Sequence, residues 1–162
     1  MQLHIGTKQV TATPMTGSAY NEYRGWTLSA DENGADEGYL VEYLDGGAPN
    51  HPNHAGYISW SPKAQFDAAY RPTTGMSFGL AIEALKQGKR VARAGWNGTG
   101  MWLVLVAYSC SATPEEHPHY HHHGIADVAG LPWVGMKTAD GCFVPWLASQ
   151  RDMLADDWAI VE

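Results

Sequence analysis

The stretch Arg93-Ala94-Gly95-Trp96-Asn97-Gly98-Thr99-Gly100-Met101 constrains this chain more than any other segment. It sets a Trp-Asn pair among three glycines, directly after a basic segment and before an apolar one. Glycine admits positive φ and close approach by a partner, and Trp-Asn offers a flat stacking surface beside a hydrogen-bonding amide. A bend that only reversed the chain would need neither the indole nor so many glycines. The segment therefore reads as a shaped loop on which something flat and polar sits.

The pattern on either side predicts an α+β chain of two modules, with small mixed or antiparallel sheets and short helices. Arg71-Pro72-Thr73-Thr74-Gly75 has linker composition, which bounds a first module at 1–72 and a second at 76–162. In the first, Gly38–Tyr43 and Gly56–Trp60 read as strands separated by the breaker-rich loop Asp45–Ala55. Ser61-Pro62 is expected to open a helix, Ser as N-cap and Pro at the first helical position, with Phe66 and Tyr70 one turn apart on its buried face. An earlier helix is expected over Ser18–Arg24, stopped by Gly25.

In the second module, Ser77 is expected to cap a helix that carries Phe78, Ala81, Ile82 and Leu85 at helical spacing and ends at Gly88. Lys89–Arg93 reads as a strand, and Met101–Ala107, apolar on both faces, as a central one. Leu131–Lys137 and Cys142–Trp146 predict a hairpin turning at Ala139-Asp140-Gly141. Ser149-Gln150-Arg151-Asp152 is a capping box opening a helix, and the chain closes on a strand near Ala159–Val161.

Charge excludes one class of partner. The formal net charge is −7, with four Lys/Arg against eight Asp/Glu in residues 1–75 and six against nine in 76–162. Polymeric nucleic acid, whose binding rests on neutralising many phosphates, does not fit. A small anion does, because a few placed donors suffice. No run approaches the roughly 18 apolar residues of a membrane span, and residues 1–8 lack a signal-peptide layout, so a cytoplasmic protein is expected. Two cysteines, Cys110 and Cys142, are too few for a disulfide framework. Seven Trp and eight Tyr against three Phe point to surfaces where a ring is half buried and its polar edge is used.

His117-Pro118-His119-Tyr120-His121-His122-His123 has the imidazole density to capture zinc or nickel. It lacks a carboxylate at helical spacing, an H-E-x-x-H and a thiolate pair, and reads as a loop insertion within Ser109–Gly130. No catalytic residue, cofactor or metal is therefore expected.

Three stretches of the second module, 76–103, 131–141 (L-P-W-V-G-M-K-T-A-D-G) and 143–158 (F-V-P-W-L-A-S-Q-R-D-M-L-A-D-D-W), resemble in order the second family of Thoeris anti-defence proteins. These are small phage-encoded sponges. The resemblance implies a protein that holds cyclic ADP-ribose isomers made by TIR-domain immune enzymes without cleaving them. It also implies a homo-oligomer, dimer or tetramer, with pockets between chains, and in some members a separate site for cyclic dinucleotides. The first module looks like an accessory segment of phage and prophage proteins.

Such a ligand presents an adenine, two riboses and a diphosphate, and its needs select the candidates. Trp96 would stack on the base, with Asn97 reaching a base edge or ribose. Arg93 and Lys137 would meet phosphate. Thr138, Ser149 and Gln150 would bond ribose or phosphate oxygens, the helix start adding its amides. Asp152 reads equally as a ribose partner or as the capping-box acid, and Trp146 as core or pocket wall. The competing classes are a hydrolase that destroys the signal and a protein–protein adaptor that uses its aromatics.

Overall fold

Leu40 and Val41, adjacent and both buried, mark Gly38–Tyr43 as the middle of a small sheet in the computed structural model, which describes residues 2–4, 6–106 and 131–162. The chain divides into two compact units, Met1–Arg71 and Pro72–Glu162. The Ser109–Gly130 loop, its histidine tract, Cys110 and the expected strand end at Ala107 lie outside the described residues.

The first unit is an antiparallel meander of β1 (Val10–Pro14), β2 (Gly38–Tyr43) and β3 (Tyr57–Pro62), in that spatial order. Helix α1 (Gly17–Arg24) supplies Tyr20 to a core with Leu40 and Ile58. It ends where Gly25, at φ 67°, turns its backbone N–H back onto the helix, as the sequence led us to expect. Helix α2 (Lys63–Ala69) lays Phe66 on Tyr39, with ring centroids 4.3 Å apart, and stacks it on Tyr70 at 4.8 Å. Phe66 and Tyr70 are half buried rather than core.

One local expectation fails here, and one element goes unforeseen. Ser61 and Pro62 do not open the helix but end β3, paired with Tyr39 and Gly38. Pro lacks the N–H that a paired strand interior uses, so it sits at the strand end, and α2 begins at Lys63 without a side-chain cap. Strand β1 has no forecast at all. Four of its five residues are exposed, so it carries no alternation to betray it.

The second unit is a five-stranded antiparallel sheet ordered β7-β6-β5-β4-β8. It comprises β4 (Arg90–Arg93), β5 (Trp102–Val106), β6 (Trp133–Lys137), β7 (Phe143–Pro145) and β8 (Trp158–Val161). Strand β5 is central, as its double-sided apolar character requires. Helix α3 (Phe78–Lys86) packs Ala81, Ala84 and Leu85 against Val91, Leu103, Met136 and Trp158. Ser77 occupies its N-cap position without a side-chain bond, and Gly88, at φ 77°, follows its end. Trp158 is fully buried, and an indole of roughly 200 Å² contributes about 5 kcal/mol gross on burial. The segment before α3 belongs to this unit, because Met76 exchanges two backbone bonds with Trp158 and Thr73 accepts from Ile160.

Candidate functional site

The glycine bend lies between β4 and β5, and its first half is held by the chain's own carboxylates. Arg93 is the last residue of β4 and pairs with Trp158. Its Nε donates to Asp157 Oδ1 at 2.7 Å and its Nη1 to Asp152 Oδ1 at 2.8 Å, and the side chain is only 9% exposed. Asp157 also accepts from Gly95 N at 2.7 Å, while its backbone oxygen accepts from Ala94 N at 3.1 Å.

A Cβ on Gly95 would come within 2.8 Å of Asp157 Oδ2 and would push this carboxylate aside. Gly100 is the one glycine of the bend at positive φ, 68°. Gly98 packs against Met101 and Ala139, which brings the bend to the hairpin tip.

Trp96 is half buried and joins the core from its edge. Its ring lies 5.5 Å from Trp158 and 6.4 Å from Trp146, edge to face in both cases. The indole Nε1 donates to Asp152 Oδ1 at 3.2 Å. Trp96 is thus part of the packing as well as of the bend. Trp146 is also half buried, 6.0 Å from Trp158 and 6.2 Å from Phe78, so it is both core edge and surface wall.

Asp152 lies in α4 (Gln150–Met153), and its capping box with Ser149 is present in full. Oδ2 accepts from Ser149 N at 3.2 Å and from Ser149 Oγ at 2.6 Å. With Arg93 and Trp96 on Oδ1, the carboxylate receives four donors, which fills its acceptor capacity. Burial works against this charge, but the bonds from Ser149, Arg93 and Trp96 outweigh it and hold the pKa at about 2. The bond from Arg93 likewise lowers Asp157, and both partners raise Arg93. The four-residue α4 offers little free N-terminus, since the N–H groups of Ser149, Asp152 and Met153 are already bonded.

The structure therefore brings Arg93, Trp96, Trp146, Ser149 and Asp152 together at one edge of the core. Asn97 and Gln150 are exposed beside them in sequence. Lys137, at the end of β6, reaches the bend from the hairpin, its Nζ donating to Gly100 O at 3.0 Å. Thr138 turns inward to the hairpin tip, its hydroxyl within reach of Cys142 O at 3.0 Å and of the Asp140 carboxylate. Asp157 is the residue the sequence did not reveal. Its partner Arg93 is 64 residues away, and an Asp-Asp pair before a strand carries no spacing signal.

Among the described residues, no group of three or more His, Cys, Asp or Glu is placed to hold a metal, and no helix is long and apolar enough to cross a membrane.

Residues 76–161, which contain this whole constellation, match the Tad2-like profile, the Thoeris anti-defense 2-like domain. The chain is also similar to Thoeris anti-defense 2 of Bacillus phage SP01, at 41% identity over 92 residues, which span 54% of this chain and 97% of that protein.

Proposed function

This chain belongs to the Tad2-like family of Thoeris anti-defense 2-like domains, and from that premise we propose that its second unit captures a cyclic ADP-ribose isomer and holds it uncleaved. Family membership supports a phage anti-defence role. Capture by sequestration is the finer reading, and the observation that carries it is the oriented indole of Trp96. A half-buried ring whose Nε1 is tied to Asp152 and which packs in T-shaped pairs with Trp146 and Trp158 serves as a preorganised stacking surface in this reading. Stacking on it contributes about 1–3 kcal/mol per base.

Nanomolar retention needs about 12 kcal/mol net, so further contacts are required. Trp146 extends the wall, exposed Asn97 and Gln150 offer amides to the base edge and ribose, and Lys137 meets the diphosphate from the hairpin side. One unit of this size encloses such a ligand poorly. A second copy of the chain completes the pocket in this reading, which makes the working form a homo-oligomer.

The reading needs no nucleophile, metal or cofactor. Purified protein is mixed with the cyclic nucleotide, freed of unbound ligand, heat-denatured and assayed for what it releases. Release of unaltered ligand supports sequestration. Release of a hydrolysed product would replace it with a hydrolase, and failure to take up any ligand would leave a protein-binding adaptor.

A further inference from the structure

We propose that Asp157 is the positioning residue of the Trp96 bend, and that Arg93 is an internal strut of that bend rather than a ligand for phosphate. The inference rests on the reading of Trp96 as the stacking surface. It starts from the bend's backbone. Two consecutive amides, Ala94 and Gly95, are both held by Asp157, one by its carbonyl and one by its carboxylate. Trp96 comes next in the chain. Its backbone is therefore set by Asp157, and its ring plane is set at the far end by Asp152.

Arg93 joins the two anchors. Nε and Nη2 face the two oxygens of Asp157, at 2.7 and 3.4 Å, and Nη1 faces Asp152 at 2.8 Å. All three guanidinium nitrogens are engaged, in a side chain that is 9% exposed. A phosphate could reach this cation only by displacing one of the two carboxylates already bonded to it, Asp152 at 14% and Asp157 at 34% side-chain exposure.

The three groups carry one positive and two negative charges, so the network faces its surroundings with net charge −1. That sign disfavours phosphate, and Asp157, which accepts three bonds against the four on Asp152, is the carboxylate with room for a donor such as an adenine amine or a ribose hydroxyl. The geometry thus orients a nucleotide, base and sugar toward the Arg93–Asp152–Asp157 edge and diphosphate toward Lys137.

The test uses the full chain in its native assembly, with Asp157→Ala, Asp157→Asn and Arg93→Gln. Affinities are measured for a cyclic ADP-ribose isomer and for adenosine, which lacks the phosphates. Exchange of the indole N–H protons is followed by NMR. Asp157→Ala is expected to weaken both ligands by the same factor, at least about tenfold, and to speed exchange at Trp96 Nε1 by a similar factor. Trp158 Nε1, which donates to the Asp152 backbone at 3.0 Å, is expected to stay protected. Asp157→Asn, which keeps one of the two accepting oxygens, is expected to recover part of both losses. This second variant carries the test if the alanine variant does not fold.

Arg93→Gln should also weaken both ligands equally. A loss confined to the phosphate-bearing ligand would make Arg93 a phosphate contact and overturn the proposal. So would unchanged Trp96 exchange in the Asp157 variants, or equal acceleration at Trp96 and Trp158, which would mark Asp157 as merely structural. If the wild-type chain takes up neither ligand, the proposed function fails while the exchange experiment still decides the role of Asp157.

Discussion

The indole N–H of Trp96 donates to the carboxylate of Asp152 at 3.2 Å, across 56 residues of sequence. A glycine bend and a helix cap, each readable as a separate local device, are thereby parts of one constellation. Changes at either end carry consequences at the other.

Trp96→Ala illustrates this. The structure packs its ring against Trp146 and Trp158. Truncation is expected to destabilise the second unit by about 2–4 kcal/mol as well as abolish capture, because a half-filled aromatic cluster does not collapse well. Trp96→Phe keeps a ring but leaves one donor of Asp152 missing, and should lose about half as much. Denaturant unfolding of the two variants checks both magnitudes, and an unchanged midpoint for the alanine variant would remove Trp96 from the core.

Acid should act through Asp152. Its folded pKa, about 2, lies below the ordinary 3.8, so the carboxylate stabilises the fold at pH values above about 4. That contribution falls away as pH drops from about 4 to 2, and Asp157, lowered by its bond from Arg93, adds in the same direction. Melting temperature measured against pH should therefore fall more steeply over this window in the wild type than in Asp152→Asn. Parallel curves would mean the ion-pair network contributes nothing.

Gly56→Ala tests the first unit. A Cβ at this position would run into the Tyr43 carbonyl, which is backbone and cannot swing away. The same residue's N–H donates to Glu42 at 2.9 Å, the carboxylate that His54 also engages at 3.0 Å. Overpacking of this kind costs about 1–3 kcal/mol. Amide exchange along β2 and β3 should accelerate accordingly, and protection equal to wild type would show that the strand end yields without penalty.

Chelation offers a simple control on the proposed capture, in which no metal takes part. EDTA is expected to leave ligand uptake unchanged. Loss of uptake on chelation, restored by zinc or nickel, would bring a metal into the site.

Local punctuation was legible from the residues. Gly25 stops α1, Asp140-Gly141 turns the hairpin with Gly141 at φ 89°, Ser149 and Asp152 form their box, and the two-sided apolar run becomes the central strand β5. Each depends on neighbours within a few positions, where backbone sterics and short hydrogen bonds leave one economical solution. Strand β1 and the end of β3 were not legible, because an exposed edge and a proline at a strand terminus carry no periodic signal.

The candidate site divides along the same line. Sequence alone marks the bend, its indole, its glycines and the helix cap as unusual, since their chemistry exceeds what a turn requires. Only the tertiary structure decides what they face. It brings β4 beside β8, so that Arg93 meets Asp157 across 64 residues and Gly95 meets a carboxylate of its own chain. Long-range pairing of charges depends on strand order, and strand order is a property of the assembled core rather than of any local run of residues.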